Sequence, residues 1–147
     1  MAGVMVICFL SALYWPQSGL PVAEFLPAAQ PDRPSFTCDV VRVNDGDTLR
    51  CADGVRVRLH AVAAREMDET CSPGHPCPEA SAIAAHEALT RLAANRTITC
   101  TPIGTSYDRV TAICRNDGGV EINCAMIESG TTVIWERFNR EAPICQS

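Results

Sequence analysis

The sequence predicts a β-rich α+β fold: a curled five-stranded antiparallel barrel with two to three helices packed on it. Three observations predict it. Strand-like runs outnumber helical ones, in the order three strands, a helix, two strands, a helix. Turn-forming dipeptides separate those runs at short intervals. Every cysteine but Cys8 falls after residue 36, which suits a small exported domain stapled by disulfides.

The chain has 147 residues, enough for one domain with a substantial core. It opens with "MAGVMVICFLSALYW", an apolar run too short for a comfortable membrane span. The first charged residue is Glu24. Residues 1–23 therefore read as a secretory signal peptide, with a short membrane anchor as the alternative. Residues 24–35, rich in Pro and Ala, read as a linker, and 36–147 as the folded domain. Export to the periplasm or the medium follows from that leader.

Within the domain, "FTCDVVRV" (36–43) and "TLRC" (48–51) are strands joined by the turn "NDGD". Asp53-Gly54 marks the next hairpin. "VRVRLHAV" (55–62) alternates, with Val55, Val57, Leu59 and Ala61 on a core face. Arg56, Arg58 and His60 share the opposite face, which can line a pocket. A loop follows at 65–77. "PEASAIAAHEALTRLAANR" (78–96) is a helix, with Pro78 in its first turn and a stripe of Ala82, Ala85, Leu89 and Leu92. "TITCT" (97–101) and "VTAICR" (110–115) are strands. "INCAMIESG" (122–130) is a short helix stopped by Gly130. A tail closed by Cys145 ends the chain. A five-stranded OB barrel fits this inventory.

Twelve arginines and no lysines stand against seventeen acids, for a net charge of -5. That balance excludes a protein that holds nucleic acid mainly by bulk charge. It leaves room for a site that grips phosphate through a few placed arginines.

These residues together resemble the staphylococcal nuclease-like, or thermonuclease, family, over about Cys38 to Phe138. "DGDT" (45–48) is similar to the family's metal-binding turn, and Arg58-Leu59 to the strand with its first catalytic arginine. Glu66 falls at the catalytic glutamate, "PEASA" (78–82) at the helix start, and "YDR" (107–109) at the second catalytic arginine. The segment "INCAMIESG" is similar to the one before the family's last helix turns. The resemblance implies an OB-fold enzyme that hydrolyses phosphodiesters of DNA and RNA with calcium, a monomer with no stable protein partner. By position, Asp47 and the backbone of Ala64 would be calcium ligands. Arg58 and Arg109 would hold the phosphoryl group, and Glu66 would act on the attacking water. The chemistry suits those residue types. A hard cation or an arginine fork neutralises a phosphodiester, and a carboxylate takes a proton from water.

Departures from the family pattern mark one position above all. The family's second metal-binding aspartate is Ala63, and the proline two residues on is Arg65. Asp45, Asp68 and Glu69 are the nearby carboxylates that would have to compensate. Phe138 lacks the hydroxyl of the family's tyrosine, and Trp135 sits loosely at a second aromatic position. The alternative reading is accordingly a non-catalytic OB-fold binding module of the cell envelope, taking an anion in the same groove without calcium. Asp45 reads as a turn former and His60 as a buried, hydrogen-bonded residue.

The eight domain cysteines allow many pairings. Nearest neighbours give Cys38–Cys51 across the first hairpin, Cys71–Cys77 in a local loop, Cys100–Cys114 across two strands, and Cys124–Cys145 at the tail. Cys71, His75 and Cys77 also gather three zinc-type ligands, one short of a closed site, and export favours the disulfide there.

Overall fold

The structure, a computed structural model, describes residues 33–146. The leader of 1–23 and the linker through residue 32 lie outside the described residues. The elements are β1 (Phe36–Val43), β2 (Thr48–Cys51), β3 (Arg56–Leu59), β4 (Val62–Ala63), α1 (Ala82–Ala93), β5 (Thr97–Ser106), β6 (Arg109–Arg115), α2 (Ile122–Glu128), β7 (Val133–Ile134) and α3 (Glu136–Asn139).

Five strands close into a barrel in the order β1-β2-β3-β6-β5, with β5 returning to β1. The architecture is a β-rich α+β fold consistent with an OB-like barrel. The expectation of a wholly antiparallel barrel needs one correction. β3 and β6 pair in parallel, Arg58 opposite Thr111, while the other seams are antiparallel. A parallel pair needs a long crossover. Here β4, α1 and β5 all lie between the two strands.

Alternation builds the interior. Leu49, Val57, Leu59, Ile98 and Ala112 are all 1 % exposed or less. Each of the four larger side chains contributes about 1.5–3 kcal/mol. Cys38, Cys51, Cys100 and Cys114 belong to the same core, so two disulfides lie inside the barrel wall. Cys100 stands directly opposite Cys114 in the β5–β6 ladder, with Cα atoms 4.1 Å apart. The other two bridges are Cys71–Cys77 and Cys124–Cys145, so the nearest-neighbour pairing is the one observed. Four disulfides belong to an oxidising environment, extracellular or periplasmic. No helix among the described residues is long and apolar enough to cross a membrane.

Helix α1 starts at Ala82, four residues later than the sequence suggests. Ser81 is its N-cap, accepting from the Ala84 N–H at 3.2 Å. Glu69 reaches in from the preceding loop, and both its carboxylate oxygens accept from the Ala82 N–H, at 3.2 and 3.0 Å. Pro78 stays outside the helix, its carbonyl accepting from Arg65 Nε at 2.9 Å. The helix buries Ala82, Ala85, Ala88, Leu89 and Ala93, and Leu92 packs on the core only in part. These small residues let α1 lie close to the turn between β1 and β2.

Candidate functional site

The turn "NDGDT" closes on itself. The Asn44 N–H donates to the Thr48 carbonyl at 2.9 Å. The Asp45 carboxylate accepts the Asp47 N–H at 2.9 Å, an Asx turn. Gly46 is required by a close approach: a Cβ there would lie 2.5 Å from that of Ala85 and 2.7 Å from that of Ala64. The turn is thereby pressed between α1 and the segment after β4. The Asp47 carbonyl accepts the Leu59 N–H at 2.8 Å, fixing the turn against the end of β3.

This docking buries Asp47 to 4 % exposure. Its Oδ2 meets Arg58 Nη2 at 3.0 Å and accepts the Ala64 N–H at 3.4 Å. Its Oδ1 accepts the Thr48 hydroxyl at 3.0 Å. Burial pushes the Asp47 carboxyl up to about 7, against the opposing pull of the Arg58 guanidinium, with Asp45 adding to the rise.

Arg58 and Arg109 arrive from adjacent strands β3 and β6. Arg109 Nη1 donates to the Thr48 hydroxyl at 3.3 Å, so one chain of contacts runs Arg58–Asp47–Thr48–Arg109. Ser106 also receives Arg109, at its carbonyl and at its hydroxyl, both 3.4 Å. The Tyr107 ring centroid lies 6.0 Å from the Arg109 guanidinium carbon.

The two arginines open into one cavity of about 260 Å³. Its polar part is Arg58, Arg109, Thr105, Ser106 and Thr111, with Tyr107 at the rim, 96 % exposed. Its aromatic wall is His75, Trp135 and Phe138. The His75 and Trp135 rings lie 4.3 Å apart, and Trp135 meets Phe138 edge-on at 4.7 Å. Trp135 is set by its backbone N–H, which donates to the Ala61 carbonyl at 2.8 Å. Two positively charged forks beside an aromatic wall can hold a phosphate joined to a ring system.

Of the residues the sequence singles out, Asp47, Arg58 and Arg109 come together, with the Ala64 backbone beside them. Glu66 does not join them. It is exposed, its backbone closes a turn with Glu69 and Thr70, and it is not among the residues lining the cavity. His60 does not line the cavity with Arg58. β3 ends at Leu59, and Ala61 just beyond it takes a positive φ of 57° in the turn that follows. His60 is left 2 % exposed, with Nε2 at 3.1 Å from the Phe138 carbonyl. Burial lowers its pKa. Asp45 is the turn former that its residue type suggests.

The donor set does not fit calcium, a hard cation that takes six to eight oxygens, usually from several carboxylates. Asp47 is the single carboxylate here, and both its oxygens already serve Arg58, Thr48 and Ala64. The nearby acids are engaged elsewhere: Asp45 on the Asp47 N–H, Asp68 on Thr70 at 2.6 Å, Glu69 on α1. Ala63 is 2 % exposed and pairs with Val133 in a two-stranded sheet. A second gathering of metal-type ligands, Glu121 with Cys124 and Cys145, has both sulfurs in a disulfide and its carboxylate on Arg115 and the Cys145 N–H.

Tyr107 stands in the "YDR" motif with Arg109, but the sequence gives no sign of His75, Thr105, Ser106 and Thr111 as neighbours of the arginines. The short disulfide loop at 71–77 is the one local clue, since it shortens the path by which His75 returns to the barrel. Comparison with protein-family models and with curated proteins gives no match for this chain.

Proposed function

We propose that the protein is an exported, thermonuclease-like hydrolase that takes a phosphodiester of DNA or RNA in the cavity between Arg58 and Arg109. The observation that carries this reading is that arginines 51 residues apart in sequence, on two paired strands, line one cavity with an aromatic wall. Arginine forks match phosphate oxygens and stabilise the charge that grows there as water attacks. Asp47 orients Arg58, and Thr48 with Ser106 orients Arg109. Bases stack on Trp135 and Phe138. Calcium, if it binds, would need Asp47 to release Arg58, so it has no place in the mechanism derived from these contacts.

A specific observation favours the second reading, a non-catalytic binding module of the envelope. The resemblance's general base, Glu66, stands outside the cavity, and Ala63 removes a metal ligand. One experiment separates the two. Labelled single-stranded DNA and RNA are incubated with the full chain in calcium and in chelator, beside Arg58→Ala and Arg109→Ala. Hydrolysis that falls roughly 100-fold or more in either variant supports the enzyme. Arginine-dependent binding without hydrolysis selects the module. Neither hydrolysis nor binding overturns both.

A further inference from the structure

We infer that His75, not Glu66, is the residue that moves the proton in this cavity. The inference rests on the hydrolase reading and names the group that reading lacks. Among the cavity-lining residues, His75 supplies the imidazole, the side-chain type that most often transfers protons in catalysis. The other ionisable lining residues are Arg58, Arg109 and Tyr107. His75 therefore faces two fixed cations and a phenol, and no carboxylate lines the cavity with it. Glu136 and Arg137, on the neighbouring α3, are exposed.

The imidazole is held but not consumed. Its ring lies against Trp135 at 4.3 Å, and its ring nitrogens have no hydrogen-bond partner among the described residues. Two further contacts fix the backbone beneath it. The His75 N–H donates to the Ser72 carbonyl at 3.0 Å, and Cys71–Cys77 closes the loop on either side. His60 and His86, by contrast, each have Nε2 at a backbone carbonyl, of Phe138 and Val43. A positioned imidazole with free nitrogens, lining one cavity with two arginine forks, is the equipment of general-base catalysis.

The oxygen of water forms a bond to phosphorus while its proton passes to the neutral imidazole. The bond from phosphorus to the leaving sugar oxygen breaks, and that oxygen takes a proton from bulk water. The imidazolium then returns its proton to the hydroxide so formed. Arg58 and Arg109 neutralise the non-bridging oxygens throughout.

The test uses the full, disulfide-intact chain and single-stranded DNA, with kcat/KM followed from pH 5 to 9. The wild-type profile should rise through an inflection of histidine type. His75→Gln should lose roughly 100-fold or more in kcat with KM little changed, while Glu66→Gln keeps the wild-type profile. A Cys71→Ser/Cys77→Ser variant, which frees the loop, should lose rate with the barrel still folded by circular dichroism. As a readout apart from turnover, the His75 ring resonance should shift when a 5′-phosphorylated dinucleotide is added, and not in Arg58→Ala. Turnover that depends on both arginines but survives His75→Gln, or that vanishes in Glu66→Gln, overturns this inference alone. No turnover in the wild type overturns the hydrolase reading with it.

Discussion

Two neighbouring regions carry acids that a metal site would need, and they use them in opposite ways. The turn at 44–48 is buried, and each polar group of Asp47 is engaged within it or on the strand beside it. The loop at 66–77 is largely exposed, and its acids serve the loop and helix rather than the cavity. Asp68 bonds Thr70, Glu69 caps α1, and Glu66 faces solvent. Arg65 ties this loop down, donating to Pro78 and to the Glu69 carbonyl at 2.9 and 2.8 Å. The difference teaches that a carboxylate's sequence position does not decide its role. In the turn, burial makes Asp47 an anchor for Arg58. In the loop, Asp68 and Glu69 serve Thr70 and the start of α1, and Glu66 is left to solvent.

Substitutions in the two regions should therefore differ sharply. The largest effect belongs to Asp47→Ala. It leaves the Arg58 guanidinium, 13 % exposed, without its partner. Breaking a buried pair from one side costs about 3–5 kcal/mol, to be read from denaturant unfolding. A cost under about 1 kcal/mol would place this pair with surface ion pairs. Gly46→Ala comes next, at about 1–3 kcal/mol, because the new methyl overlaps Ala85 and Ala64. Glu69→Gln should cost about 0.5–1 kcal/mol in the same assay, the loss of a charged cap at the α1 N-terminus. Glu66→Gln should lie within about 0.5 kcal/mol of wild type, as an exposed side chain does.

A smaller, pH-dependent effect comes from His60. Its folded pKa is depressed by burial, so it stays neutral in the fold where the unfolded chain would already charge. The stability this gives is present above the ordinary histidine value and is lost as pH falls toward the folded one. Wild type should therefore lose more stability between pH 7 and 5 than His60→Asn does. Parallel curves would exclude the effect.

Local signals in the sequence carried much of the fold. The β1–β2 hairpin, with its Cys38–Cys51 bridge, is written in one continuous stretch of alternation and turn residues. The pairing of Cys100 with Cys114 follows from the strand–loop–strand unit that holds both. What escaped was long-range. The parallel β3–β6 seam depends on how the barrel closes, not on either strand's own pattern. The positive φ at Ala61, in the turn after β3, has no glycine to announce it. The late start of α1 depends on Glu69, thirteen residues before the N–H it caps. Of the site, the arginines and Asp47 were legible through the resemblance. His75 was not, because its cysteine neighbours suggest only a disulfide or a metal.

Asp47 holds Arg58, and on the proposed reading the cavity engages phosphate without calcium. The direct measurement is the affinity of the full chain for a labelled single-stranded oligonucleotide, in calcium and then in chelator. One Kd is expected in both solutions, with a loss of roughly tenfold or more in Arg58→Ala. A complex that forms in calcium and disappears in chelator would contradict it.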